Sequence, residues 1–244
     1  MFRFIIAAVW TTLFLILSLP IIFVEWIIGF IWPRAKAVSS QWIVTRAFKV
    51  LIFIAGTDIT FIGEDRIPSD SPVLYVPNHR SIFDIIITYT RCPRQTGYVA
   101  KNETKKIPVF SIWMAFMNCQ FLNRKDLRSG LKVILKCVDL IKAGSSICIF
   151  PEGTRNKGSE DLLPFHDGSL KIAEKANCPI IPVSINNTEQ IFEAHFPKIK
   201  KCKVVIEYCN PIYPSDFTKE EKRKISESVQ ESILETYQKN KSLF

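Results

Sequence analysis

The stretch VPNHRSIFDI, residues 76–85, sets a histidine, a serine and an aspartate within six positions, in a chain with three histidines. On one regular helix the five-residue step from His79 to Asp84 turns the two side chains about 140° apart. Ser81 changes that geometry. As an N-cap it starts the helix after the histidine, so that His79 stays in the preceding loop and Asp84 falls in the first turn. From there a carboxylate can reach back to one ring nitrogen, fix the tautomer and leave the other nitrogen as a base. The same residues also match a capping box, in which Asp84 only returns to the Ser81 amide. Both readings stand on these residues alone. There is no G-x-S-x-G elbow for a nucleophilic serine.

Two further clusters carry polar chemistry. In FPEGTRN, residues 150–156, Pro151 and Gly153 force an irregular turn that presents Glu152, Thr154 and Arg155. An arginine there can hold a phosphate bidentately, with backbone amides assisting; an ordinary surface turn is the alternative. The other cluster is Phe121 with Arg124, near Lys101, Lys105 and Lys106. Its lysines also suit a solvated basic face.

These clusters need elements to position them. Short β-rich runs recur at 57–63, 72–78, 97–101, 119–124, 146–150, 179–185 and 202–209. Helical patterns lie between them, at 81–91, 107–117, 127–141 and 167–177. A last helix is expected from Thr218, where Thr218 and Glu221 fit a capping box. Alternation of this kind predicts an α/β fold: a largely parallel mixed sheet flanked by helices. Ligands of such sheets sit beyond the carboxyl ends of the strands. Asn78 and His79, Arg124, and Glu152 to Arg155 all fall at such ends.

The N-terminal part differs. Residues 4–24 carry no charge, and a straight helix of that length matches one hydrocarbon core of about 30 Å. Pro20 is expected to kink or end it. Residues 42–55, apolar with Arg46 and Lys49 interrupting, suit a helix in the headgroup boundary or a core helix with snorkelling bases. The segment therefore reads as a broken, membrane-embedded hairpin or a single span, and the chain divides into 1–56, membrane-associated helices, and 57–244, a catalytic domain. The net charge of +9 favours anionic partners. With no basic stretch interleaved with aromatics, lipid headgroups or a phosphorylated substrate fit better than nucleic acid. Seven scattered cysteines without a C-x-x-C pair argue for reduced thiols and against a zinc site.

Taken together, the motifs resemble a family. NHRSIFD (78–84) resembles the asparagine–histidine–four–aspartate block of glycerolipid acyltransferases. FPEGTR (150–155) is similar to that family's phosphate-binding block. PFHDGSLKIAEKANCPIIPVSI (164–185) resembles its later block, with Pro182 in the usual place. Size and the short apolar N-terminus are most similar to the bacterial enzymes acting on 1-acyl-glycerol-3-phosphate. In the remaining block, NCQFLNR, Asn118 stands where the family has glycine; if that site needs a left-handed backbone, asparagine is the next most tolerant residue.

The resemblance implies acyl transfer from a thioester to lysophosphatidic acid, giving phosphatidic acid. His79 is then the general base and Asp84 its orienting partner. Lys101, Arg124 and Arg155 bind the acceptor phosphate, with Glu152, Gly153 and Thr154 shaping that site. Asn78, Ser81, Phe121 and Pro182 support it. Amides at the start of the Ser81 helix are candidate oxyanion donors, and residues 107–117 line an acyl groove or form a plain buried helix. No metal or cofactor is required; acyl-CoA or acyl-carrier-protein is the co-substrate, anionic membrane lipids are partners, and the cytoplasmic face of the inner membrane is the expected place. The alternatives are acylation of glycerol-3-phosphate or of another lysophospholipid, and a non-catalytic lipid-binding membrane protein.

Overall fold

The computed structural model describes residues 1–123, 126–158, 161–218 and 220–244. Seven strands form one sheet: β1 (Asp58–Ile62), β2 (Leu74–Pro77), β3 (Thr96–Lys101), β4 (Gln120–Leu122), β5 (Ser146–Cys148), β6 (Ile180–Asn186) and β7 (Lys203–Tyr208). Their order is β1-β7-β6-β2-β5-β3-β4. Every neighbouring pair is parallel except β6 and β7, so the sheet is mixed and largely parallel. All seven β-rich runs of the sequence became strands.

Alternation along β2 shows how the sheet separates two apolar layers. Tyr75 joins the core beneath α3 (Pro33–Ala55), α4 (Ile82–Tyr89) and α5 (Phe110–Phe116). Leu74 and Val76 join the opposite core, with residues of α6 (Leu127–Lys142), α7 (Lys171–Ala176) and α8 (Ile225–Asn240). Parallel strands buried on both faces need continuous apolar runs, and β2 and β5 are buried throughout.

Three helices differ from the periodic pattern. The helix expected over 107–117 is confined to 110–116, because Pro108 and Val109, at φ 63°, break its start. The 167–177 segment divides into a 3-10 turn and α7. The Thr218–Glu221 box forms, with Glu221 N donating to Thr218 Oγ1 at 3.3 Å and Thr218 N to Glu221 Oε2 at 3.0 Å. It precedes a 3-10 turn, Glu221–Lys224, whose own N-cap position is Glu220, and α8 begins only at Ile225.

The N-terminal helices α1 (Phe2–Leu17) and α2 (Leu19–Ile31) meet at a 48° bend. The break falls at Ser18, with Pro20 tolerated in the first turn of α2. Together they run back along α3, which starts at Pro33, earlier than the apolar stretch alone suggested. Arg3 donates to Ala55 O at 2.7 Å and Trp10 to Ala47 O at 3.2 Å. The bend itself is docked on α5: Trp113 Nε1 donates to the buried Ser18 hydroxyl at 3.0 Å. Among the described helices, α3 alone is long and apolar enough to cross a membrane by itself, and α1 and α2 qualify only as one bent unit. Phe2, Phe23, Trp26, Phe30 and Ile31 are all exposed.

Candidate active site

Ser81 caps α4 as its type and position require. Its backbone is extended, and its hydroxyl accepts from Phe83 N at 3.0 Å. His79 therefore stays in the loop after β2, and the two readings of Asp84 prove compatible. Asp84 Oδ2 accepts from Ser81 N (2.8 Å), from Arg80 N (2.7 Å) and from His79 Nδ1 (2.8 Å). Two amides already fill that oxygen as donors, so the imidazole must also donate, leaving Nε2 as the basic nitrogen. The other oxygen, Oδ1, accepts from the Thr188 hydroxyl. Asp84 is fully buried, while the His79 side chain is 13% exposed and stacks on Phe150 with centroids 4.1 Å apart.

The other strand ends lock this loop. Asn78 extends the pairing of β2 with β6: its side-chain amide donates to Ile185 O at 2.9 Å and accepts from Ile185 N at 2.7 Å. Pro182, buried in β6, cannot donate to the ladder but accepts from Cys209 N at 2.9 Å. Gly153, at φ 70°, turns the chain after β5. Glu152 points inward and holds two loops, Oε1 accepting from His79 N at 2.7 Å and Oε2 from Leu163 N at 2.9 Å. Burial pushes its carboxyl above the usual glutamate range, and those two amides pull the other way. Thr154 and Arg155 are exposed.

Arg155 is not idle in this structure. Its Nη1 donates to Glu193 Oε1 at 2.8 Å, and Glu193 also accepts from Ile82 N at 2.8 Å and from the Ser81 hydroxyl at 2.5 Å. The helix-start amides expected as oxyanion donors are thus occupied: Arg80 and Ser81 by Asp84, Ile82 by Glu193 and Phe83 by Ser81. That expectation is corrected, because the capping and orienting bonds use the same N–H groups. Lys101 is exposed at the end of β3, and Phe121 lies under the Lys105 ammonium, 5.3 Å from its ring centroid. Arg124 lies outside the described residues. Asn118, the departure from the family glycine, has φ 61°; the left-handed conformation is present and asparagine sustains it.

His79, Lys101, Gly153 and Arg155 line a cavity of about 840 Å³, within the ~300–1,000 Å³ range of ligand sites. Its remaining wall is mostly apolar and comes largely from α1, α3, α4, α5 and α6, including Phe14, Phe48, Trp113, Met114 and Leu131, with further residues from β3, β4 and the chain after β5. Within the run at 107–117, Trp113 and Met114 are buried in the core and also line the cavity. Among the described residues, no group of three or more His, Cys, Asp or Glu side chains is placed to hold a metal ion. Phe150, Thr188 and Glu193 were not legible as site residues: each meets the histidine loop from a distant part of the chain.

A mixed sheet with a His–carboxylate pair beyond its strand ends defines a class of α/β proteins with an acid–base site, and comparison with known proteins makes it specific. A family model described as Acyltransferase matches residues 58–186, and the chain belongs to that family. The 1-acyl-sn-glycerol-3-phosphate acyltransferase of Borreliella burgdorferi is 37% identical over 59% of this chain, a match that spans only 57% of that relative. The enzyme of the same name from Helicobacter pylori is 29% identical over 79% of this chain and 80% of its own. The crystal structure of the 1-acyl-sn-glycerophosphate (LPA) acyltransferase PlsC from Thermotoga maritima is similar over 98% of both chains, with TM-score 0.75 and 25% identity.

Proposed function

We propose that this chain transfers a fatty acyl group from an acyl thioester to the free hydroxyl of 1-acyl-glycerol-3-phosphate, making phosphatidic acid for phospholipid synthesis. One observation carries the reading: a histidine with Nδ1 bonded to a buried carboxylate at 2.8 Å stands on the wall of a large apolar cavity. His79 Nε2 removes the hydroxyl proton as the acceptor oxygen attacks the thioester carbonyl. Asp84 holds the ring and stabilises the imidazolium. Collapse of the tetrahedral adduct breaks the carbon–sulfur bond, and the proton passes from the imidazolium to the departing thiolate. No acyl-enzyme forms and no cofactor takes part.

Arg155 and Lys101, with Arg124, bind the acceptor phosphate, while the cavity takes an acyl chain. The donor is acyl-CoA or acyl-carrier-protein. Residues 1–56 form the membrane element and 57–244 the catalytic domain, at the cytoplasmic face of the inner membrane among anionic lipids. The apolar side chains exposed on α1 and α2, the net charge of +9 and the free thiols of all seven cysteines support that placement. The test gives purified protein labelled acyl-CoA and a panel of acceptors. Transfer to lysophosphatidic acid that is lost in His79→Ala is expected. Equal transfer by both proteins removes the base, and transfer confined to lysophosphatidylcholine removes the anionic acceptor.

A further inference from the structure

The segment that follows β6 reaches both halves of the site. Within residues 188–193, Thr188 donates to Asp84 Oδ1, Glu189 lies 3.4 Å from Arg80 Nε, and Glu193 accepts from Arg155, Ile82 N and the Ser81 hydroxyl. Thr188 is fully buried, and the Glu193 side chain is 18% exposed. We propose that this segment is a positioning clamp for the reaction, in which Thr188 fixes Asp84 and Glu193 fixes Arg155. The proposal rests on the reading of His79 and Asp84 as the catalytic pair.

The Asp84 carboxylate is the first point the segment holds. Asp84 Oδ2 has three donors, including the imidazole, whereas the one donor identified for Oδ1 is Thr188. A buried oxygen left without a partner is costly, and the side chain would turn to relieve it. Any such turn moves Oδ2 and with it the imidazole. Thr188 therefore acts through Asp84 on the direction of the His79 ring, and so on the rate of proton removal and not on acceptor binding.

Glu193 works on the other side. It takes one guanidinium N–H of the five that arginine offers, and the Arg155 side chain remains 41% exposed and on the cavity wall. The carboxylate thus sets the plane of the guanidinium while leaving donors for a phosphate. By also accepting from Ile82 N and Ser81, it ties that plane to the start of α4, where Asp84 sits. One short segment thereby fixes the distance between the base and the phosphate clamp.

The two assignments separate kinetically. Full-length protein in lipid or detergent would be assayed with labelled acyl-CoA and 1-acyl-glycerol-3-phosphate, with thermal midpoints measured in parallel. Thr188→Val is expected to lower kcat about 10- to 100-fold, a part of the ~10²–10⁴-fold that a general base contributes, with acceptor KM within about twofold. Thr188→Ser, which restores the hydroxyl, should recover kcat to within about threefold of the parent. Glu193→Gln should raise acceptor KM about 5- to 10-fold, since it weakens a charge-assisted bond, with little change in kcat.

Wild-type kcat in Thr188→Val, or failure of Thr188→Ser to recover it, overturns the Thr188 role. An unchanged acceptor KM in Glu193→Gln overturns the other. Parallel losses of kcat, KM and thermal midpoint in both variants, without recovery by Thr188→Ser, make the segment merely structural and overturn both. His79→Ala in the same series keeps the premise separate. If it retains full transfer, the catalytic pair is wrong; if it is inactive while Thr188→Val and Glu193→Gln match wild type, the clamp alone is wrong.

Discussion

The two sides of the His79 ring are built on opposite principles. On the Nδ1 side the groups are polar and paired: the buried Asp84 receives four hydrogen bonds, and Ser81 and the partly exposed Glu193 close the helix start. On the other side lies a cavity of about 840 Å³ with a mostly apolar wall. The polar side is closely paired, so it tolerates little change of chemistry. The apolar side has spare volume, so it tolerates changes of shape. Rate should therefore depend on the first and choice of substrate on the second.

The largest effect expected is at Asp84. Each carboxylate oxygen is an acceptor in the structure, Oδ2 three times and Oδ1 once. An amide in that place must turn its NH2 toward a donor or reverse the imidazole tautomer. Asp84→Asn should lower kcat about 1,000-fold or more, by analogy with other His–Asp pairs, while acceptor KM changes little. Steady-state kinetics on folded protein would check it, and a loss below about tenfold would mean that the pair serves only as a helix cap.

Next comes Arg155, which stands between the two sides, paired to Glu193 and also lining the cavity. Arg155→Ala should raise acceptor KM by about 10- to 100-fold, the loss of a charge-assisted phosphate contact, and leave donor KM unchanged. An unchanged acceptor KM would move phosphate binding elsewhere, with Lys101 the first alternative.

What could be read from the sequence follows the same division. The polar side was legible where its residues are close in the chain, because the cap preference of Ser81 dictates where His79 and Asp84 fall. The two bonds competing for Asp84 could not be ranked, since nothing in the spacing says that one oxygen can accept from three donors. Thr188 and Glu193 were invisible: they lie 104 and 112 positions beyond the residues they hold, Asp84 and Ser81, and they arrive only because β6 pairs with β2. The strands were legible because they are short runs of apolar, aromatic and β-branched residues between turn residues. The starts of α5 and α8 were not, since a positive-φ Val109 and a 3-10 turn are local outcomes of packing that hydrophobic period does not encode.

On the apolar side the expected change is one of selectivity. Gly130, on α6, lines the cavity, and a side chain begun there would meet Leu122 Cδ1 at 3.8 Å and otherwise open space. Replacing glycine inside a helix also favours the helix by up to about 1 kcal/mol. Gly130→Leu should fold normally and shift preference toward shorter acyl chains, with about tenfold discrimination against the longest, comparable to the value of one or two methylenes in a pocket. Competition between donors of different chain length would measure it. A uniform fall in kcat for every length would show instead that the cavity wall is coupled to the base.

The smallest effect expected concerns Glu152, the one carboxylate near His79 that holds its backbone and not its ring. Burial raises its pKa in the folded chain above the ordinary glutamate value, against the pull of the Leu163 and His79 amides. The sign follows from linkage. The folded chain favours the protonated form, so this contribution to stability is complete below the unfolded pKa and disappears as pH rises through the folded one. Glu152→Gln removes the titration and, at every pH, one of the two acceptors. The difference in thermal midpoint between wild type and Glu152→Gln should therefore shrink as pH is raised from the ordinary glutamate pKa upward. A difference that grows with pH would mean that the two amides outweigh burial, and that Glu152 sits in the loop as a stabilised anion.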